Sequence, residues 1–74
     1  MIATMNPETA RRALDLPRLT LGEIADRIGA TRAALNGYRE GKRTMPLEVR
    51  VRLAELLDRH AAELEAIAEA LRTE

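Results

Sequence analysis

The chain has no cysteine, tryptophan or phenylalanine, a single tyrosine and a single histidine. Without cysteine there are no disulfides and no thiolate metal sites. One aromatic ring provides no stacking platform for single-stranded nucleic acid. One histidine, no Gly-rich phosphate loop and no cluster of acids leave nothing from which to assemble a catalytic centre, so the expectation is a protein that is not an enzyme and carries no cofactor or metal. No apolar run approaches the roughly 20 residues of a membrane span. The opening residues, MIATMNPE, lack a basic start and an apolar core, so the chain reads as cytoplasmic, with no membrane partner. Formal net charge is zero.

What is present is a helical composition: the apolar content comes from Ala, Leu, Ile and Val, and 74 residues make one small domain. A core of that size usually needs help, and with disulfides excluded the remaining aid is self-association. The zero net charge hides a polarised distribution. Residues 1–26 carry three Arg against four acids. Residues 27–52 carry seven Lys/Arg against two acids, and residues 53–74 two Arg against six acids. A basic middle beside an acidic tail points to an anionic partner for the middle segment.

Helix boundaries are written in the capping residues. Asn6-Pro7-Glu8 predicts a helix start, with a first helix from about Pro7 to Leu14 that presents Ala10 and Leu14 and is stopped by Pro17. Thr20-x-x-Glu23 is a capping box, so a second helix starts near Leu21 and buries Leu21, Ile24, Ala25 and Ile28. Gly29 suits a turn at positive φ. Thr31 caps a third helix, Arg32 to Arg39, with Thr31, Ala34, Leu35 and Tyr38 on its buried side; Gly41 ends it. Lys42-Arg43-Thr44 is a basic loop, and Pro46 starts a fourth helix. From Leu47 to Glu74 there is neither Gly nor Pro. One helix of about 26 residues there would be about 39 Å long. Leu53, Leu57, His60, Leu64, Ile67 and Leu71 step by 4, 3, 4, 3 and 4, the spacing of a heptad seam. A break near Asp58–His60, folding a fifth helix back on the domain, is the alternative.

The second and third helices, joined by a tight turn, have the spacing of a helix-turn-helix that reads duplex DNA. At 100° per residue, Ala33, Asn36, Gly37 and Glu40 form the outward side of the third helix, with Arg32 on its flank. Arg32 can bond guanine O6 and N7, Asn36 adenine N6 and N7, and Ala33 a thymine methyl, while Gly37 allows close approach. Phosphate contacts are expected from the amides and hydroxyl at Thr20, Leu21 and Gly22, from Thr31, and from Arg39, Lys42 and Arg43. Glu40 is expected to point away from the DNA backbone. Dimerisation is expected through Leu57, His60, Leu64, Ile67 and Leu71. Two His60 rings facing each other there would loosen the pair when protonated near pH 6.

Residues 19–57 resemble the Cro/repressor-type helix-turn-helix family, also known as the xenobiotic-response-element type. The matching pieces are Leu19-Thr20, Glu23-Ile24-Ala25, Ile28-Gly29, Thr31, Leu35, Tyr38, and Gly41-Lys42-Arg43 leading into a Pro-started helix with Leu53-Ala54. The resemblance implies an all-α, four- to five-helix lambda-repressor-like domain with a long C-terminal helix. With the heptad seam, the chain is expected to divide into a flexible segment 1–5, a DNA-binding domain over 6–57 and a dimerising extension over 58–74. It also implies base-reading positions at Arg32, Ala33, Asn36 and Gly37, and a dimer acting on double-stranded DNA at a near-palindromic operator. Three features depart from the family pattern. Gly22 stands where a phosphate-bonding Gln is common, Gly37 replaces a longer reader, and Pro17 lies in a short Leu14–Leu19 link. The expected function is a sequence-specific transcriptional regulator, a repressor acting by occupancy. The alternatives are an antitoxin whose acidic C-terminal helix binds a basic protein partner, and a helical interaction module without DNA binding.

Overall fold

In the computed structural model, residues 6–74 are described; the expectation of a flexible segment over 1–5 lies outside them. Four helices follow one another: α1 (Pro7–Asp15), α2 (Leu21–Ile28), α3 (Arg32–Arg39) and α4 (Leu47–Thr73). The first three are short and each is held by its N-terminal cap. The Glu8 amide donates to Asn6 Oδ1 at 2.9 Å, with Pro7 in the first turn where its missing N–H costs nothing. At α2 the capping box is complete. The Glu23 amide donates to Thr20 Oγ1 (3.1 Å) and the Thr20 amide to Glu23 Oε1 (3.2 Å). Those bonds, led by the backbone one, hold the Glu23 carboxyl below its ordinary pKa. Thr31 caps α3 by accepting from the Ala34 amide at 3.1 Å. That role explains why Thr31 is exposed and does not share the buried side assigned to it by the helical wheel.

The α2–α3 turn depends on Gly29, which sits at φ +71°, a region in which a side chain is strained. The Ala30 amide returns to Ala25 O at 3.0 Å, closing the end of α2. Arg52 of α4 completes that end by donating to Ile28 O at 3.3 Å while pairing with Glu48 at 2.5 Å. In the α1–α2 link Arg18 also adopts positive φ (59°), and its amide bonds Asp15 O at 3.3 Å.

The core gathers the predicted stripes. Ala10 and Leu14 of α1, Ile24, Ala25 and Ile28 of α2, Leu35 and Tyr38 of α3, and Leu53 and Leu56 of α4 are all buried. Met45, a loop residue outside any periodic stripe, joins them at 3% exposure. α3 packs against α1 and α2, and α4 against α2. Beyond Glu63 no other element borders the fourth helix among the described residues, Arg27 of α2 reaching only the concavity shared with Arg59, His60 and Glu63. The fourth helix does not break near Asp58–His60 but runs on as one helix of 27 residues. The projection shows in a radius of gyration of 14.0 Å, against about 11 Å for a compact chain of this length. No helix among the described residues is long and apolar enough to cross a membrane.

Leu35 is wholly buried, so Leu35→Ala should destabilise the fold by about 2–5 kcal/mol. Val51, on the open side of α4, is half-exposed, and Val51→Ala should change stability by no more than about 0.5 kcal/mol. Urea unfolding followed by circular dichroism measures both, and equal losses at the two positions would contradict this core.

Candidate nucleic-acid interface

The residues expected to read bases or bind phosphate lie on α2, α3, their caps and the loop after α3, and apart from Arg43 the structure sorts them into two groups. The first is a corner formed by the start of α2 and the start of α3. Thr20 and Glu23 take up the capping bonds, which leaves the Leu21 and Gly22 amides without an acceptor among the described residues. Arg32, one turn of chain away on α3, lies over Gly22. A Cβ built at Gly22 would be 3.6 Å from Arg32 Cδ and 3.8 Å from Nε. The absent side chain at position 22 therefore has a structural counterpart: it leaves room for the arginine stem. A guanidinium and the positive end of a helix dipole share one corner, with no carboxylate paired to Arg32 among the described residues. Ala33 is exposed beside it.

The second group is a polar chain along the later half of α3. Arg39 reaches back to Asp15 of α1 (3.8 Å) and donates to Asn36 Oδ1 (2.9 Å). The Asn36 amide nitrogen donates to Glu40 Oε1 (3.3 Å), and Lys42 pairs with Glu40 Oε2 (3.0 Å). Asn36 is thus engaged at both ends of its amide, and Lys42 and Arg39 are each matched by an acid. Glu40 is held below its ordinary pKa first by the hydrogen bond from Lys42, then by the charge of Lys42 and the bond from Asn36. Sequence reasoning placed Asn36, Arg39 and Lys42 as contacts but did not see that Glu40 joins two of them. The spacings of three and four residues along α3 were the signal available for Asn36 with Arg39 and Glu40.

Arg43 belongs to neither group. The amides of Lys42 and Arg43 both donate to Gly37 O, at 3.0 and 3.2 Å, fixing the loop against α3. The Arg43 stem then crosses Gly37 so closely that a Cβ there would be 2.8 Å from Arg43 Cδ. Its guanidinium lies 5.8 Å from the centre of the Tyr38 ring, a cation–π approach. Gly37 is covered by an arginine and is only half-exposed.

The set assigned to dimerisation lies apart from this surface. Leu57 is half-buried against the core and His60 half-buried, while Leu64, Ile67 and Leu71 are 59%, 63% and 76% exposed. His60 borders a concavity with Arg27, Leu56, Arg59 and Glu63. Arg27 and Arg59 were not singled out by motif, because they lie on different helices and only the packing of α2 on α4 brings them together. Among the described residues no three metal-ligating side chains converge. No family model matches this chain, and comparison with curated proteins and with solved structures gives no match.

Because Lys42 and Asn36 bond the charged form of Glu40, that carboxylate contributes stability above the pKa of an unfolded Glu. The contribution is lost as pH falls through its lowered folded pKa. Carboxyl-carbon NMR titration should find Glu40 below the ordinary 4.5, moving toward it in Lys42→Ala. An unmoved titration in that variant would remove Lys42 as the cause.

Proposed function

We propose that this protein is a sequence-specific double-stranded DNA-binding regulator of the Cro/repressor helix-turn-helix type. In this reading α2 and α3 form the helix-turn-helix and α3 enters the major groove. The observation that carries the reading is the corner in which Arg32, the open amides of Leu21 and Gly22, and the exposed start of α3 face the same solvent. A phosphate held by the α2 amides sets the depth and direction of α3, and the first turn of α3 then meets base edges. Arg32 serves as the guanine reader, with Ala33 beside it against a thymine methyl.

Asn36 reads adenine at the cost of its bonds to Arg39 and Glu40, which makes its contribution smaller than that of an unengaged amide. Lys42 reaches phosphate only in competition with Glu40, whereas Arg43 is unmatched by an acid and is the stronger phosphate contact. Regulation by occupancy of a near-palindromic operator follows if two chains bind together, and the apolar seam of α4 supports self-pairing. Cytoplasmic location accords with this role.

Selection of an operator from random duplex, followed by binding titrations over a salt series, tests the reading. Arg32→Ala should relax preference at one base position, a loss of about 1–3 kcal/mol of discrimination. Arg43→Ala should weaken binding to all sequences and flatten the log–log salt slope by about 1. Glu40→Gln should act in the opposite sense, raising affinity for any duplex and steepening the slope by up to about 1 as Lys42 becomes available. A wild-type protein that binds duplex with no salt dependence, or not at all, would overturn the assignment.

A further inference from the structure

The face of α4 that enters the core and the face that carries the seam are one and the same. At 100° per residue Leu53, Leu57, His60, Leu64, Ile67 and Leu71 lie within about 40° of a common direction, with Val49 and Leu56 beside them. Over residues 49–57 that face is covered: Leu53 and Leu56 are 2% and 4% exposed, and α2 packs on this part of α4. Over residues 60–71 it is open, with three large apolar side chains mostly exposed. A helix laid on the open part and running parallel would have to continue into the space that α2 occupies. An antiparallel helix would not.

Building on the self-pairing proposed above, we infer that the open face is covered by a second copy of this chain in antiparallel orientation, with His60 opposite the partner's Leu71 and Leu64 opposite the partner's Ile67. Antiparallel seams match positions alternately spaced by three and four, and this leaves three registers to compare. Sliding one heptad deeper sets the partner's Leu71 against Leu53, which is already buried in its own domain. Sliding one heptad outward sets Leu64 against the partner's Glu74 and uncovers His60. Only the intermediate register sets Leu64, Ile67 and Leu71 of each copy against seam residues that the partner's own domain leaves open.

The flanks agree with it. On one side Ala61 faces the partner's Ala68, and Ala68 the partner's Ala61, so the axes can approach closely. At the end of the seam the partner's Glu74 falls opposite Leu57, next to the concavity edged by Arg27, Arg59 and Glu63. None of the ion pairs among the described residues involves either of those arginines. One carboxylate of each copy thereby comes to a junction of α2 and α4 where two arginines outnumber the single Glu63.

The register also fixes a length. The two-fold axis falls between residues 65 and 66, so the two Leu53 positions are about 25 residues apart along the pair, or about 37 Å. That axial offset between the two domains is close to the roughly 34–36 Å of one DNA turn. His60 does not face the partner's His60 in this arrangement; the two are about 16 Å apart.

The chain contains no cysteine, so introduced thiols report the register directly. His60→Cys and Leu71→Cys, made separately and distinguished by a size tag, are oxidised mildly alone and mixed. Leu64→Cys with Ile67→Cys serves as a second pair should either of the first variants fold poorly. The expected result is a disulfide heterodimer from each mixture and, for the first pair, none from single variants, whose equivalent positions are too far apart for a bond. Self-linked His60→Cys and Leu71→Cys would overturn the antiparallel register while leaving self-pairing intact. Sedimentation of the unaltered chain as a monomer, unchanged by Leu64→Glu, would overturn both, and a foreign partner or none would then cover the seam. Duplex binding, titrated on the same samples, is scored independently of either result.

Discussion

An isolated helix of eight residues is not stable in water, because too few propagating hydrogen bonds offset its nucleation. α3 is such a helix, and everything presented on its outer side depends on Leu35 and Tyr38 being buried where α3 packs on α1 and α2. Removing that burial would release the capping bond at Thr31, the polar chain through Asn36 and Glu40, and the loop bonded to Gly37 together. The surface proposed to meet DNA is therefore a product of the core beneath it. The short helices also explain why the caps matter here more than in a longer bundle: each carries a large share of its helix's backbone satisfaction.

Those caps are the reason the architecture could be read from sequence. Asn6, Thr20, Thr31 and Gly29 each have a physical role tied to one position in a helix, and each occupies that position. The continuity of α4 was legible in the absence of Gly and Pro after Pro46. Met45 was not, since a single loop residue carries no period. The surface was harder to read. Which residues face outward on α3 follows from the wheel, but whether an outward residue is free to act does not. Asn36 and Lys42 are held by Glu40, and Arg32 and Arg43 fold across glycines at 22 and 37. Those arrangements depend on side-chain torsions and on contacts between separate elements, to which residue spacing is blind. The two glycines that looked like missing contacts are the two places where an arginine stem lies against a helix.

The charge distribution takes on a different meaning once the packing is known. Of the basic residues in the middle segment, Arg39, Lys42 and Arg52 are matched by Asp15, Glu40 and Glu48. The others form no ion pair: Arg32 and Arg43 lie around α3, Arg50 lies on α4, and Arg27 meets Arg59 of the next segment at the junction of α2 and α4. A segment that reads as one basic block is thus divided by the fold into separate surfaces.

Arg52 gives α4 a second role. Its guanidinium caps the last turn of α2 through Ile28 O and lies against Gly29, where a Cβ would meet its Nη1 at 3.5 Å. Residue 52 is thereby clamped to the bend between α2 and α3, while Glu48 steadies the same guanidinium from one turn earlier on α4. The long helix and the bend are mechanically coupled. The end of α2 is held to the long helix by this guanidinium as well as by the apolar contacts between them, so the bend and α4 form one unit.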